Sequence, residues 1–300
     1  MANIIGVDVS KNNYDIFDVA LNKSYTVSCQ RANSWVNGLC KEAFVVFEAT
    51  GIYSKRLAKL LSGAGILYAE VNPRHVRRYA QACGQLAKND RIDAELIANY
   101  TKACNVQPKC HVNYNSLLRS LVLRREQLVN MITTEKGHLE TCDEITLKKA
   151  IEKHIAALHE QRKLLEQQIK TEIQNDNRAT IMKSMPCVGD IVASSLIAHM
   201  PELGTLKRSE AAALAGLAPY VRDSGAYKGR RAIYGGRPQV RRVLYMAAIV
   251  AIRRNPTYQN AYNSLVARGK PFKVAITAIM RKIIETLNIM CKNNQTWKQI

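Results

Sequence analysis

NIIGVDVSK, Asn3 to Lys11, is an apolar run with a single acid inside it. Its β-branched residues read as a buried strand, and Asp8 falls near the strand's end. A lone carboxylate in such a strand is costly to bury unless it is paired or bound to a cation. Glu48 takes a matching place in VVFEATG, residues 45–51, at the end of a second apolar run and just before a glycine. Exposure at a strand end accounts for either acid alone. Two of them in equivalent places call for a shared reason.

The stretches around them supply one. YDIFDVAL and YTVSCQ read as two further strands separated by the polar turn NKS, and ILYAEV as a fifth strand ended by Asn72-Pro73. A helix follows Gly51 through Leu60. Another, RHVRRYAQAC, carries Arg74, Arg77 and Arg78, and KNDRIDAELIANY, residues 88–100, reads as a third helix. The expected class is therefore α/β: a mixed sheet with helices on its faces, over residues 1–110. Asp90 and Asp93 stand three apart at the start of that third helix, on one face. Taken alone, they read most simply as helix capping. Together with Asp8 and Glu48 they form an all-oxygen ligand set of the kind that hard divalent cations such as Mg²⁺ or Mn²⁺ prefer. Two such ions about 3.5–4 Å apart can hold the attacking and leaving oxygens of a phosphodiester. Strand Asp, strand Glu, then a helical Asp-x-x-Asp is similar to the order in a RuvC or ribonuclease H-like nuclease. A sugar-kinase or actin-like chain also begins with a strand bearing GVD, but it needs glycine-rich phosphate loops that FEATG does not supply.

The remainder is helical. Leu118, Leu121, Arg125, Leu128, Ile132, Glu135 and Leu139 follow alternating spacings of three and four, and Ile151, Ile155, Leu158, Arg162, Leu165 and Ile169 resume the pattern. The two seams predict a helical coiled-coil connector over 111–179, either a hairpin or helices that pair with another subunit. A basic, mainly helical domain is expected over 180–300. It opens with MPCVGDIVASSLIAHMPEL, which resembles the second half of a helix–hairpin–helix with Cys187 in place of the first glycine of P-G-x-G.

Charge narrows the partner. The chain has 44 Lys and Arg against 24 Asp and Glu, a net +20. Such an excess favours a polyanion, since each phosphate neutralised releases condensed counterions. No basic amphipathic helix with an aromatic face marks a membrane surface as that polyanion. The longest apolar run, Val243 to Ile252, is about half of the ~20 residues a span needs, and MANIIGVDVS lacks the basic start of a signal peptide. The eight cysteines form no C-x-x-C pair. A nucleic-acid-binding protein of the reduced cytoplasm is expected, without membrane attachment.

LAGLAPYVRDSGAYKGRRAIYGGRPQVRRVLY concentrates the charge: Arg222, Lys228, Arg230, Arg231, Arg237, Arg241 and Arg242, with Asp223 the only acid. Its glycines make the first part a loop that can approach a phosphate backbone closely. Ser224 stands in the middle. A serine in such a loop is usually a turn residue. Flanked by guanidinium groups, it is also a candidate nucleophile for a phosphodiester.

GVDVSK, FEATG, KNDRIDA and this last stretch, in that order, resemble the DEDD-type insertion-sequence recombinases, which comprise bridge-RNA-guided transposases and Piv-type DNA invertases. The resemblance covers nearly the whole chain. It implies that Asp8, Glu48, Asp90 and Asp93 are the metal-binding tetrad and Ser224 the covalent nucleophile of a DNA recombinase. It further implies homo-oligomers, dimers or tetramers, in which one subunit's tetrad completes a site with another's serine. A structured noncoding RNA as partner, pairing with donor and target DNA, is also implied. Two other readings stay open: a junction-resolving nuclease that uses the tetrad and water, and a non-enzymatic architectural protein.

Overall fold

A computed structural model describes residues 3–49, 51–84, 90–108, 116–220 and 232–297. Internal packing divides the chain into two units, 1–112 and 113–300. The first is built on strands β1 (Asn3–Val9), β2 (Asn13–Asp18) and β3 (Lys23–Ser28), helix α1 (Ala32–Asn37), β4 (Ala43–Glu48), α2 (Ile52–Ala64), β5 (Leu67–Val71), α3 (Pro73–Ala82) and α4 (Asp90–Ala103). The sheet order is β3-β2-β1-β4-β5. Tight turns join β1, β2 and β3, so these run antiparallel. The connections through α1 and α2 bring β4 beside β1 and β5 beside β4 in parallel, as crossovers do. The expected mixed α/β sheet is present. Helix α1 is additional to the sequence reading: six residues, ANSWVN, are too short to display a helical period.

Alternation along the strands makes two faces. Ile5, Val7, Val9, Tyr14, Ile16, Val45 and Phe47 pack against Ala32 and Val36 of α1 and Leu57 and Leu61 of α2. Phe44, Val46, Ala69 and Val71 turn the other way, onto Val76 and Ala80 of α3 and Leu96 and Ile97 of α4. Gly6 belongs to this second face, and there α4 comes closest to the sheet. A Cβ on Gly6 would run into the Ala94 carbonyl and stand 2.9 Å from the Ala98 amide nitrogen. Those are backbone atoms, which cannot swing aside. Gly6→Ala is therefore expected to lower stability by about 1–3 kcal/mol, read as an earlier urea transition. Gly63→Ala serves as the control: it lies inside α2 with nothing within 4 Å of a built Cβ. That change should instead stabilise by roughly 0.5–1 kcal/mol.

The second unit begins with α5 (Ser116–Thr141) and α6 (Ile145–Glu172). Arg125 meets Glu166 at 2.8 Å, and further out Glu135 faces His154, so the two helices run antiparallel as a hairpin. Leu128, Ile132 and Leu158 form a small core of their own. At the root, Leu118, Val122, Ile169 and Ile173 enter one larger core with the helices that follow, so hairpin and basic segment are packed together there. Those helices are α7 (Asn177–Lys183), α8 (Asp190–His199) and α9 (Arg208–Leu214). A short ribbon, β6 (Pro219–Tyr220) and β7 (Ala232–Ile233), precedes α10 (Pro238–Arg254), α11 (Pro256–Ala267) and α12 (Phe272–Asn293). Cys187, in the turn before α8, buries its thiol in this core, where desolvation pushes its pKa up to about 11. A thiol in that state stays protonated and unreactive at neutral pH. The seven cysteines among the described residues form no disulfide. No described helix is long and apolar enough to cross a membrane.

Candidate active site

Strand register decides how the acids meet. Val7 of β1 pairs with Phe47 of β4, so Asp8 and Glu48, one residue on, stand side by side at the ends of adjacent parallel strands. Both are half-buried, and both lie on the face that Gly6 and Val46 share, because side chains alternate along a strand. On the other flank, Asp8 pairs directly with Asp15 of β2. Acids thus run in a row across β2, β1 and β4. Like charges placed directly opposite each other are unfavourable in a sheet unless something offsets them. Asp15 has one partner in Thr26, whose hydroxyl donates to Oδ1 at 2.6 Å. Sequence reading overlooked Asp15; its signal was the two-residue alternation in NYDIFD, which puts it on a chosen face only once the strand's register is known.

Helix α4 starts at Asp90, so Asp90 and Asp93 occupy its first turn, where the free N–H groups favour negative charge. Asp93 is half-buried and directly precedes Ala94, whose carbonyl presses on Gly6. The missing Cβ of Gly6 therefore draws the first turns of α4 onto the sheet face that bears Asp8. The Asp90 side chain lies outside the described residues. Helix α3 springs from the same edge. Val71 pairs with Glu48, and Asn72 caps α3 by accepting from the Arg74 amide at 2.9 Å. Arg74, Arg77 and Arg78 are exposed, while Val76 and Ala80 are buried, so α3 carries its cations on its outward face.

The donor set is chemically suited to Mg²⁺ or Mn²⁺: carboxylate oxygens, two of them on adjoining strands of one face. Among the described residues, no three His, Cys, Asp or Glu side chains converge closely enough to hold a metal ion by themselves. The fourth acid, Asp90, falls outside that set.

In the second unit, Arg222, Ser224, Lys228, Arg230 and Arg231 lie outside the described residues, but the stem that carries their loop does not. Tyr220 pairs with Ala232, and Pro219 with Ile233. Below this ribbon the chain crosses itself at Gly216 and Gly236, both with positive φ; a Cβ on Gly236 would fall on the Gly216 backbone. Arg241 bridges the crossing, donating to the carbonyls of Gly216 at 3.2 Å and Gly235 at 2.9 Å. Arg237, the residue just before α10, grips Glu202 with two bonds of 2.7 Å and donates also to the His199 carbonyl at 2.8 Å. His199 in turn meets Glu126 of α5 at 2.9 Å. The structure thus engages Arg237 and Arg241 in anchoring the loop's base, and leaves Arg242 exposed on α10.

Residues 5–142 match the DEDD transposase family of the IS110 type, and residues 179–263 match the family described as Transposase IS116/IS110/IS902. The pilin gene-inverting protein of Moraxella bovis is 26% identical over 97% of this chain and 96% of its own length, and its Moraxella lacunata counterpart matches to the same extent. An uncharacterized 43.6 kDa protein of insertion element IS110 from Streptomyces coelicolor is 32% identical over 46% of this chain and 35% of its own. The acid-bearing sheet falls within the first matched region and the clamped, arginine-rich stem within the second, and the chain belongs to the IS110-type transposase family.

Proposed function

We propose that this chain is a DNA recombinase that cuts and rejoins strands through a covalent link to Ser224. The observation that carries the reading is the placement of Asp8 and Glu48 side by side on one sheet face, with α4 pressed onto that face at Gly6. In this reading residues 1–110 act as a RuvC-like domain, 111–179 as a helical connector and 180–300 as the serine-bearing domain. Asp8, Glu48, Asp90 and Asp93 would hold Mg²⁺ or Mn²⁺, which when bound neutralises charge building on the scissile phosphate. Arg74, Arg77 and Arg78 on one unit, and Arg222, Lys228, Arg230, Arg231 and Arg242 on the other, neutralise the flanking phosphates. Arg237 and Arg241 hold the serine loop's stem in shape. The chain works in the cytoplasm as a dimer or tetramer.

A structured noncoding RNA is the partner proposed for choosing donor and target sites. A second reading, site-specific inversion without a guide RNA, is favoured by similarity to the pilin gene-inverting proteins across 97% of the chain. Sequencing RNA that copurifies with the protein separates the two: a single enriched species encoded beside the gene supports guidance, and its absence supports inversion. The recombinase reading itself is tested on DNA from the gene's own flanks, nicked so that rejoining is blocked. Mass spectrometry of the trapped complex should find the strand on Ser224.

DNA affinity should also be dominated by charge. With six or more phosphates neutralised, log K is expected to fall against log[salt] with a slope of about −5 or steeper. A flat response between low and moderate salt would remove this part of the reading.

A further inference from the structure

Tyr220 and Tyr234 flank the loop that carries Ser224, and both are exposed, by 50% and 58%. Tyr220 pairs with Ala232, so Tyr234 is its diagonal neighbour on the same side of the ribbon. Their rings meet edge to face, centroids 6.5 Å apart at 87°. The ribbon is a two-stranded sheet, so no further strand among the described residues covers it. An aromatic pair normally buries most of its area, yet this one is held up on a stem whose base is clamped by Arg241 and the Gly216–Gly236 crossing.

We propose that Tyr220 and Tyr234 form a stacking platform for an unpaired base of the DNA strand brought to the serine loop. The proposal rests on the reading that this unit acts on DNA. Charge complementarity selects the occupant. Between the two tyrosines the sequence carries Arg222, Lys228, Arg230 and Arg231 against the single acid Asp223, and exposed Arg242 follows on α10. Exposed rings at both ends of a stretch of chain this rich in cations match a nucleotide, which offers a base to stack and a phosphate to neutralise, better than they match an apolar protein surface. Exchanging a strand between duplexes requires its bases to unpair locally, and a displaced base held on a ring costs less than one left in water.

The test uses the full-length chain and a duplex from the flank of its gene, either intact or with a short unpaired bubble containing 2-aminopurine. Fluorescence anisotropy should show the wild type preferring the bubble by roughly tenfold or more, with the probe quenched by stacking. Tyr220→Phe/Tyr234→Phe should keep both effects, because stacking uses the ring and not the hydroxyl. Tyr220→Ala/Tyr234→Ala should lose both while duplex affinity stays the same. Tyr234→Leu, which keeps apolar bulk without a π face, guards against a folding artefact and should also lose the quench. A preference that survives in the alanine variant, or a wild type that binds both DNAs equally, overturns the platform. Light scattering that shows the alanine variant losing self-association instead would assign the patch to a second copy of the chain. Covalent capture at Ser224 is measured in parallel, for each variant, on the nicked DNA that blocks rejoining. A stacking effect without an adduct sinks the recombinase reading alone; an adduct with no tyrosine effect sinks the platform alone.

Discussion

Ser224→Ala is expected to abolish covalent capture of DNA and strand exchange, by about 10³-fold or more, while DNA binding stays within about twofold of the wild type. The size follows from what recombination requires. A recombinase that rejoins the strands it cuts, without an external energy source, can store the broken phosphodiester as an ester to its own serine. When the serine Oγ–P bond forms, the bond to the leaving strand breaks, the serine proton passes to a base or to solvent, and the strand departs as its hydroxyl. A partner strand's hydroxyl can then reverse the step on the same phosphorus. Water as nucleophile would discard that stored ester. Binding should persist because serine carries no charge, and the salt-dependent part of the affinity belongs to the arginines and lysines. Cysteine at 224 should keep a trace of activity. An adduct mapped to another residue, or an alanine variant that still recombines DNA, would falsify the assignment and favour a nuclease that uses the acids and water.

Asp8→Asn and Asp93→Asn are expected to reduce strand cleavage by roughly 10³-fold, the several kcal/mol that a bound cation contributes to the transition state. The two readouts of this experiment should move apart. Asp8 pairs directly with Asp15 and stands beside Glu48, so its carboxylate belongs to a row of acids whose charge a bound cation would offset. Thermal stability without metal should change by no more than about 1 kcal/mol, while Mg²⁺ should no longer raise it. If Asp8 served only as a strand-end decoration, activity and the Mg²⁺ effect would both survive. If it were a structural polar group, stability would fall with activity.

Fold and site were legible in the sequence to different depths. Strands β1, β4 and β5 show as apolar runs because the sheet is covered on both faces, and a strand buried on both sides has no polar half. The hairpin shows in the spacing of Leu118, Leu128, Ile132, Leu158 and Ile169, since that spacing is the helix period itself. The acids Asp8 and Glu48 stood out because carboxylates at the ends of apolar runs need an explanation, and the family's motifs are contiguous stretches that any reading finds. These properties are local, and the chain's order carries them.

Partnership was not local. Asp8 and Glu48 are neighbours only because β4 lies parallel to β1 in one particular register, and a slip of one residue would send Glu48 to the opposite face. Asp15 joins their row through the antiparallel pairing on the other side, which nothing in NYDIFD announces. Gly6 reads as an ordinary weak point in a strand until Ala94 is found against it. Arg237 and Arg241 look in sequence like five other cations in the same basic run. Packing sets them apart, giving one a carboxylate and the other two carbonyls, so that their charge anchors the stem of the loop. Residue type and period are written along the chain; which face, which neighbour and which charge is already engaged are decided when distant segments pack.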